Sequence, residues 1–257
     1  MSNTSNIFCR FSLLLASISL MMLTACSSAP VKQANELPAQ HAIESVIKSD
    51  VTYAIDVYDP WEGMNRGIYR FNASFDNYVF LPVVGAYTTI MPNFAEVGVT
   101  NFFSNLTDIT HLINSALQLK PKATVDSAGR LIINSTIGVL GLFDVATKWD
   151  INEHKEDFGQ TLGHYGVGGG PFLVLPILGP SNLRDTTGIL TDAVIMSEID
   201  PVNLDHNDAD IVVPYYLLQA IDARYRNKFR YYQTGSPFEY ELIRKLYTEK
   251  RKFDIKN

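Results

Sequence analysis

The chain has 257 residues, 46% of them hydrophobic and only 19% charged, with a net charge of −6. That acidic balance argues against nucleic acid as a partner. Two cysteines, Cys9 and Cys26, are too few for a cysteine metal cluster, and Cys9 falls in a segment that reads as cleaved, so no disulfide is expected. The charge is uneven: from Arg224 onward ten Lys or Arg face four Asp or Glu, which leaves the remainder acidic by twelve. A basic segment of this kind suits anionic headgroups or an acidic partner, but a solvated helix face is the favoured reading.

At the N-terminus, Arg10 precedes an uncharged run from Phe11 to Leu23. The run has the length of a signal-peptide apolar region and is shorter than a membrane span of ~20 residues. Leu23-Thr24-Ala25-Cys26 at its end resembles the lipobox of bacterial lipoproteins, which implies that residues 1–25 are removed and Cys26 is lipidated. Ser27 stands where an inner-membrane retention signal would place Asp, so the resemblance implies the outer membrane. Residues 26–55 read as the lipidated N-terminus and a flexible tether, and residues 56–257 as a single helical domain ending in a basic helix.

Asp59-Pro60-Trp61-Glu62 reads as a helix start, with Asp at the N-cap, Pro at N1 and Glu at N3. Met64, Ile68, Phe71, Phe75 and Tyr78 then form one apolar stripe, with Arg66, Arg70, Ala73 and Asn77 on the other side, and Pro82 ends or kinks the helix. Pro92-Asn93 starts a helix through Phe103, Asp108 caps another running to Leu119, and Pro121 opens a third that reaches Ile137. Val213, Leu217, Ile221, Tyr225, Phe229 and Tyr232 make a long stripe opposite Asp222, Arg224 and Arg226, and Leu242, Ile243, Leu246 and Tyr247 mark a last helix. Sustained period-two alternation is missing, so the expected fold is all-α, a bundle of amphipathic and interfacial helices. The cluster Gly163, Gly166, Gly168, Gly169 and Gly170, beside Pro171 to Pro176, reads as a tight hairpin loop rather than a strand.

Three segments carry no charge: Asn77–Ala95, Leu131–Phe143 and Phe158–Leu183. Each is too short or too proline-broken to span a bilayer. Such segments are either core or lipid-facing surface, and the lipid anchor favours the second.

Searching for chemistry turns up little. His41, His111, His154, His164 and His206 make no H-E-x-x-H or similar metal pair, and no G-x-S-x-G, P-loop or dinucleotide fingerprint occurs. Asp200, Asp205, Asn207, Asp208 and Asp210 invite a calcium reading, but the EF-hand glycine and terminal glutamate are missing, so a solvated loop is favoured. The expectation is a non-enzyme with no cofactor and no metal.

Two stretches carry a family resemblance. One is Asp59, Pro60, Trp61, Glu62, Gly63, Met64, Asn65 and Arg66, continuing through Tyr69, Phe71 and Asn72. The other runs from Phe158 through Gly163, His164, Tyr165, Gly166, Val167 and Gly168 to Gly170-Pro171, Leu175-Pro176 and Leu183-Arg184-Asp185. In this order after a lipobox they resemble the VacJ/MlaA family of outer-membrane lipoproteins, over roughly residues 56 to 225; the long tether and the Lys/Arg-rich tail depart from it. The resemblance implies a ring-like helical protein in the inner leaflet of the outer membrane, lipid-anchored and facing the periplasm, that encloses an amphipathic channel. It implies that mislocalised phospholipid leaves the outer leaflet through the channel and passes to a soluble periplasmic carrier and an inner-membrane ATP-driven transporter, with outer-membrane porin trimers as partners. It also implies that Gly166, Gly168 and Gly170 border the channel and that the helix near Phe71-Asn72 holds that loop. The rival expectation is a structural lipoprotein whose helical domain scaffolds envelope proteins.

Overall fold

The computed structural model describes residues 57–204 and 208–256. The leader 1–25, Cys26, the tether 26–55, His41, Asp205, His206 and Asn207 lie outside the described residues. In chain order the elements are α1 (Glu62–Phe75), a π-helical turn (Asp76–Phe80), α2 (Leu81–Ile90), α3 (Asn93–Leu117), α4 (Pro121–Thr136), α5 (Val145–Lys148) and α6 (Phe158–His164), then β1 (Phe172–Leu175), β2 (Gly179–Asn182), α7 (Leu183–Ile199), α8 (Ala209–Arg226) and α9 (Glu239–Lys256). The fold is thus mostly helical, with one antiparallel two-stranded sheet pairing Phe172 with Asn182 and Leu175 with Gly179. Among the described residues no helix is long and apolar enough to cross a membrane.

Local chemistry explains the starts and stops, and corrects several expectations. Asp59 is not the N-cap of α1, because the helix begins at Glu62 and no side chain caps it. The Asp59 carboxylate is drawn instead to Asn65, Tyr240 and Arg244, partners that free backbone N–H groups cannot match in charge. Pro82 does not end the helix. Leu81 N–H reaches back to the Asp76 carbonyl in a wider turn, and the chain re-enters α2 with Pro82 in its first turn, where a missing N–H costs little. Asp108 caps nothing: α3 is continuous, and Asp108 is fully buried at its middle, paired with Arg130. The stripe from Val213 is helical only to Arg226, so Phe229 and Tyr232 lie beyond α8. The β-hairpin replaces the expected loop from Phe172 on; four-residue strands are too short for alternation to register in sequence. Elsewhere Asx caps hold: Asp144, Asp157, Asn182 and Asp208 each accept a backbone N–H at the start of α5, α6, α7 and α8.

The burial pattern is inverted. Along α1 and the π turn the apolar residues Met64, Phe71 and Tyr78 are 52%, 50% and 83% exposed, while Glu62, Asn65, Asn72 and Asp76 point inward. Across the described residues, 26 polar or charged side chains are buried against 8 hydrophobic ones, and 37 large hydrophobics are exposed. Soluble monomers rarely show a contiguous apolar surface on this scale. The one aromatic core is small: Tyr69 meets Tyr231, Tyr232 and Tyr240 edge-on at 4.9, 5.7 and 5.8 Å, beside Phe172 and Val174.

Hydrogen bonds position the hairpin on α1. Asn65 donates to the Phe172 carbonyl at 3.0 Å and accepts Val174 N–H at 2.9 Å; one heptad later Asn72 donates to the Leu175 carbonyl and accepts Ile177 N–H. Seven helical residues rise about 10.5 Å, close to three residues of strand, so two amides clamp one strand. Asn65→Ala strands two backbone groups and the Asp59 bond, with an expected loss of about 2–4 kcal/mol in denaturation of the detergent-solubilised chain, whereas Phe71→Ser changes stability by less than about 1 kcal/mol.

Candidate functional site

The residues singled out in the sequence gather along three polar seams. In the first, α1 faces α9. Arg66 bridges Glu62 at 2.5 Å and also Glu241, while fully buried Arg244 meets Asp59 at 3.1 Å and Glu62 at 3.5 Å. Tyr240 lies between the two arginines, with Arg66 4.3 Å above its ring and its hydroxyl donating to Asp59 at 2.5 Å. Burial, then the Asp59 carboxylate, pushes the Tyr240 hydroxyl well above its ordinary pKa, so it stays a donor. Tyr69 donates to Glu239 at 2.8 Å, and Glu239 in turn accepts Tyr232 N–H and the Thr234 hydroxyl.

The second seam joins α6, α7 and α9. Arg251 binds Asp157 bidentately at 2.7 and 2.8 Å and Asp185 at 2.9 and 3.0 Å. Asp185 further accepts from Arg184, Tyr247 and Asn182. Burial works against the charge on Asp157 and Asp185, but the hydrogen bonds and charge of Arg251 outweigh it and hold both below the usual carboxylate range. Here α6 and α7 touch through glycines: a Cβ on Gly188 would fall 2.3 Å from the Gly159 nitrogen. Arg184 also donates to the Val167 carbonyl, and its backbone N–H to Gly169, which ties the glycine-rich loop to this seam.

The third seam is α3 against α4 and the 144–157 segment. Arg130 links Asp108, the Ile151 carbonyl and Asp144; Glu156 takes Lys120 and Gln118. Burial pushes the Asp108 carboxyl up to about 6, against the pull of Arg130 and His111. Two cavities border the seams: one of about 290 Å³ with Asn72, Asp76, Phe80, Leu178, Arg224 and Lys250 in its wall, and one of about 440 Å³ with His111, Glu156, Asp157, Asp192, Met196 and Tyr215.

Of the predicted motif residues, the structure brings Asp59, Glu62, Asn65, Arg66 and Asn72 together on the inner face, and Arg184 and Asp185 with Gly163, whose Cβ would press on Arg184 and Ile255. Pro60 makes the turn into α1, and the Pro171 carbonyl accepts Leu183 N–H. Phe71, His164 and Tyr165 face outward, although the Tyr165 hydroxyl reaches the Leu117 carbonyl at 2.6 Å. Gly166, Gly168 and Gly170 lie in the loop between α6 and β1, ahead of the hairpin; Gly166 and Gly170 need positive φ, and nothing approaches the missing Cβ of Gly166 or Gly168. The basic tail is not simply a solvated face, since Arg244 and Arg251 are buried counter-ions of the motif acids, while Lys250 and Lys252 stay outside. Sequence reading missed Tyr240, Arg244, Tyr247 and Arg251, although their four-three-four spacing marks one helix face.

A family model described as MlaA lipoprotein matches residues 57–254. The chain belongs to the MlaA lipoprotein family. It is 38% identical to the intermembrane phospholipid transport system lipoprotein MlaA of Escherichia coli (strain K12), over 52% of this chain and 55% of that protein. It is 30% identical to the protein of the same name from Haemophilus influenzae, over 66% and 67%. An uncharacterized protein of Rickettsia prowazekii is 41% identical over 61% of this chain, and the match spans 62% of that protein's own length. A solved chain from "Structural basis for maintenance of bacterial outer membrane lipid asymmetry" superposes with a TM-score of 0.62 at 28% identity, covering 77% of this chain and 100% of that one. The MlaA likeness thus takes in all three seams.

Arg251 is the test of these seams. Because the folded carboxyls titrate below their unfolded values, their contribution is complete above about pH 4 and fades as pH falls through the folded values. Arg251→Gln therefore costs about 3–5 kcal/mol at neutral pH, most of it through Asp185, which is more buried than Asp157, and the deficit shrinks in strong acid when unfolding is followed across pH.

Proposed function

We propose that this lipoprotein removes mislocalised phospholipid from the outer leaflet of the outer membrane through an amphipathic channel and passes it to a soluble periplasmic carrier, which maintains lipid asymmetry. In this reading Cys26 is lipidated, residues 26–55 are the tether, residues 56–257 form a single domain in the inner leaflet facing the periplasm, and porin trimers are the membrane partners. The observation that carries this reading is the inversion: polar groups inside, apolar side chains outside. α2 is the extreme case, a charge-free helix with no buried residue that ends in exposed Ile90 and is flanked by exposed Tyr78 and Phe94. Such a surface suits acyl chains, and hydrocarbon accepts it because helical backbone is already satisfied. A headgroup crossing bare hydrocarbon loses its hydration without partners; a short polar path relieves that cost with no bond chemistry. The names of the Escherichia coli and Haemophilus relatives point the same way.

Loss of the gene product raises phospholipid in the outer leaflet, read by labelling intact cells with a membrane-impermeant amine reagent. Protein made without its leader and with Cys26→Ala still needs detergent. Unchanged surface phospholipid together with a detergent-free monomer points instead to an envelope scaffold.

Gly166, Gly168 and Gly170 border the path in this reading. Gly168→Val meets open space and so folds with an unchanged Tm, but lowers lipid flux severalfold. Wild-type flux in that variant would make the loop a plain turn.

A further inference from the structure

The third seam holds a group of side chains that the transport reading does not use. Asp108 and His111 lie one helical turn apart on α3, so both project to the same side, and Glu153 reaches them from the loop after α5. One donor atom from each lies within 4.8 Å of the other two.

The protonation pattern is set by neighbours. His111 Nδ1 sits 2.9 Å from the Glu156 carbonyl. A carbonyl only accepts, so Nδ1 carries a proton, and the neutral ring then presents its lone pair at Nε2, the arrangement in which an outer hydrogen bond orients a metal-binding imidazole. Asp108 is fully buried; Arg130 donates to Oδ2 at 3.2 Å, and Oδ1 meets no hydrogen-bond donor among the described residues. A buried carboxylate oxygen without a partner is costly, and a cation is the ligand that repays it. Charge agrees: Asp108, Asp144 and Glu153 supply three negative charges against the one of Arg130, and Lys155, 3.4 Å from Glu153, is mostly in solvent.

We propose that Asp108, His111 and Glu153 bind one divalent cation of the zinc class, with water in the remaining position. One imidazole nitrogen and two carboxylates suit a borderline metal better than Mg²⁺ or Ca²⁺, which prefer all-oxygen shells. Ligand bonds of about 2.1 Å put donors about 3.4 Å apart around a tetrahedral ion, and exposed Glu153 has the freedom to close the difference. Bound there, the ion pins the 149–157 loop to α3 beside the larger cavity, which His111 lines.

The test uses the full chain in detergent, stripped with chelator and titrated calorimetrically with Zn²⁺. One equivalent binds saturably, Zn²⁺ but not Mg²⁺ raises the Tm, and Glu153→Gln weakens binding at least tenfold, a cooperative melt of the metal-free variant showing that it is folded. Saturable binding that survives Glu153→Gln undiminished, or no saturable binding by the wild-type chain, overturns the assignment.

Discussion

A charge removed from water must find a counter-charge or hydrogen-bond donors or it destabilises the protein, and in this fold that requirement falls on many inward-facing groups. Asp185 shows how far it reaches. The Asp185 carboxylate binds Arg251 on α9, Arg184 on α7 and Tyr247 on α9, while its backbone N–H donates to the capping side chain of Asn182; Arg184 then carries the link to Val167 in the glycine-rich loop. Ion pairs of this kind add little net stability over an apolar core of equal volume, but removing one member leaves the other stranded. The seams therefore act as selectors of a single arrangement. The hairpin does not shift against α1 without breaking the four amide bonds of Asn65 and Asn72, nor α9 without breaking the ion pairs of Arg66 and Arg244.

That arrangement makes sense only with an unusual exterior. Where acyl chains are the solvent, packing apolar side chains inward gains nothing, and polar contacts and close backbone approach decide how helices associate. The Gly159–Gly188 crossing of α6 and α7 is such an approach. The same setting penalises open backbone, and the hairpin is the element most at risk. Asn65 and Asn72 cover β1 and the turn that follows by presenting amides in strand-like register, and Tyr58 takes Phe172 N–H. The family motif on α1 is thus in large part a device for covering a strand edge with a helix.

How much of this was written in the sequence differs by level. Helix existence was legible because 3.6-residue spacing survives whichever way the helix faces: the stripe Met64, Phe71, Tyr78 is real. Its direction was not, since periodicity reports that two faces differ and is silent on which solvent each meets. The charge-free segment Asn77–Ala95 hinted at it, since α2 within it has no buried residue. Asp59 and Asp108 were misread for one shared reason. Each sits where a local rule expects a cap, and each has a distant arginine that outbids a backbone N–H, Arg244 lying 185 positions along the chain from Asp59 and Arg130 22 from Asp108. Pairings of that range leave no local trace. The arginines of the tail failed likewise, because charge counted along a segment does not separate buried Arg244 and Arg251 from solvated Lys250 and Lys252.

The three seams are not equally closed, and the difference locates where ligand chemistry belongs. Around Arg251 every carboxylate oxygen of Asp157 and Asp185 has a donor, and both groups titrate low. Along α3 and α4 the balance reverses: Asn105 Oδ1, Asp108 Oδ1, Ser115 Oγ, Gln118 Oε1 and Ser127 Oγ are buried without a hydrogen-bond partner among the described residues, as are Arg244 Nε and Nη2 between α1 and α9, and Asp108 titrates high. A saturated seam serves as a rivet. An unsaturated one, lying against the larger cavity through His111, keeps acceptors in reserve for something that arrives from outside. The Arg251 end of α9 is thus closed on itself, whereas α3 and the loop it faces leave acceptors open, which is where the proposed cation would sit.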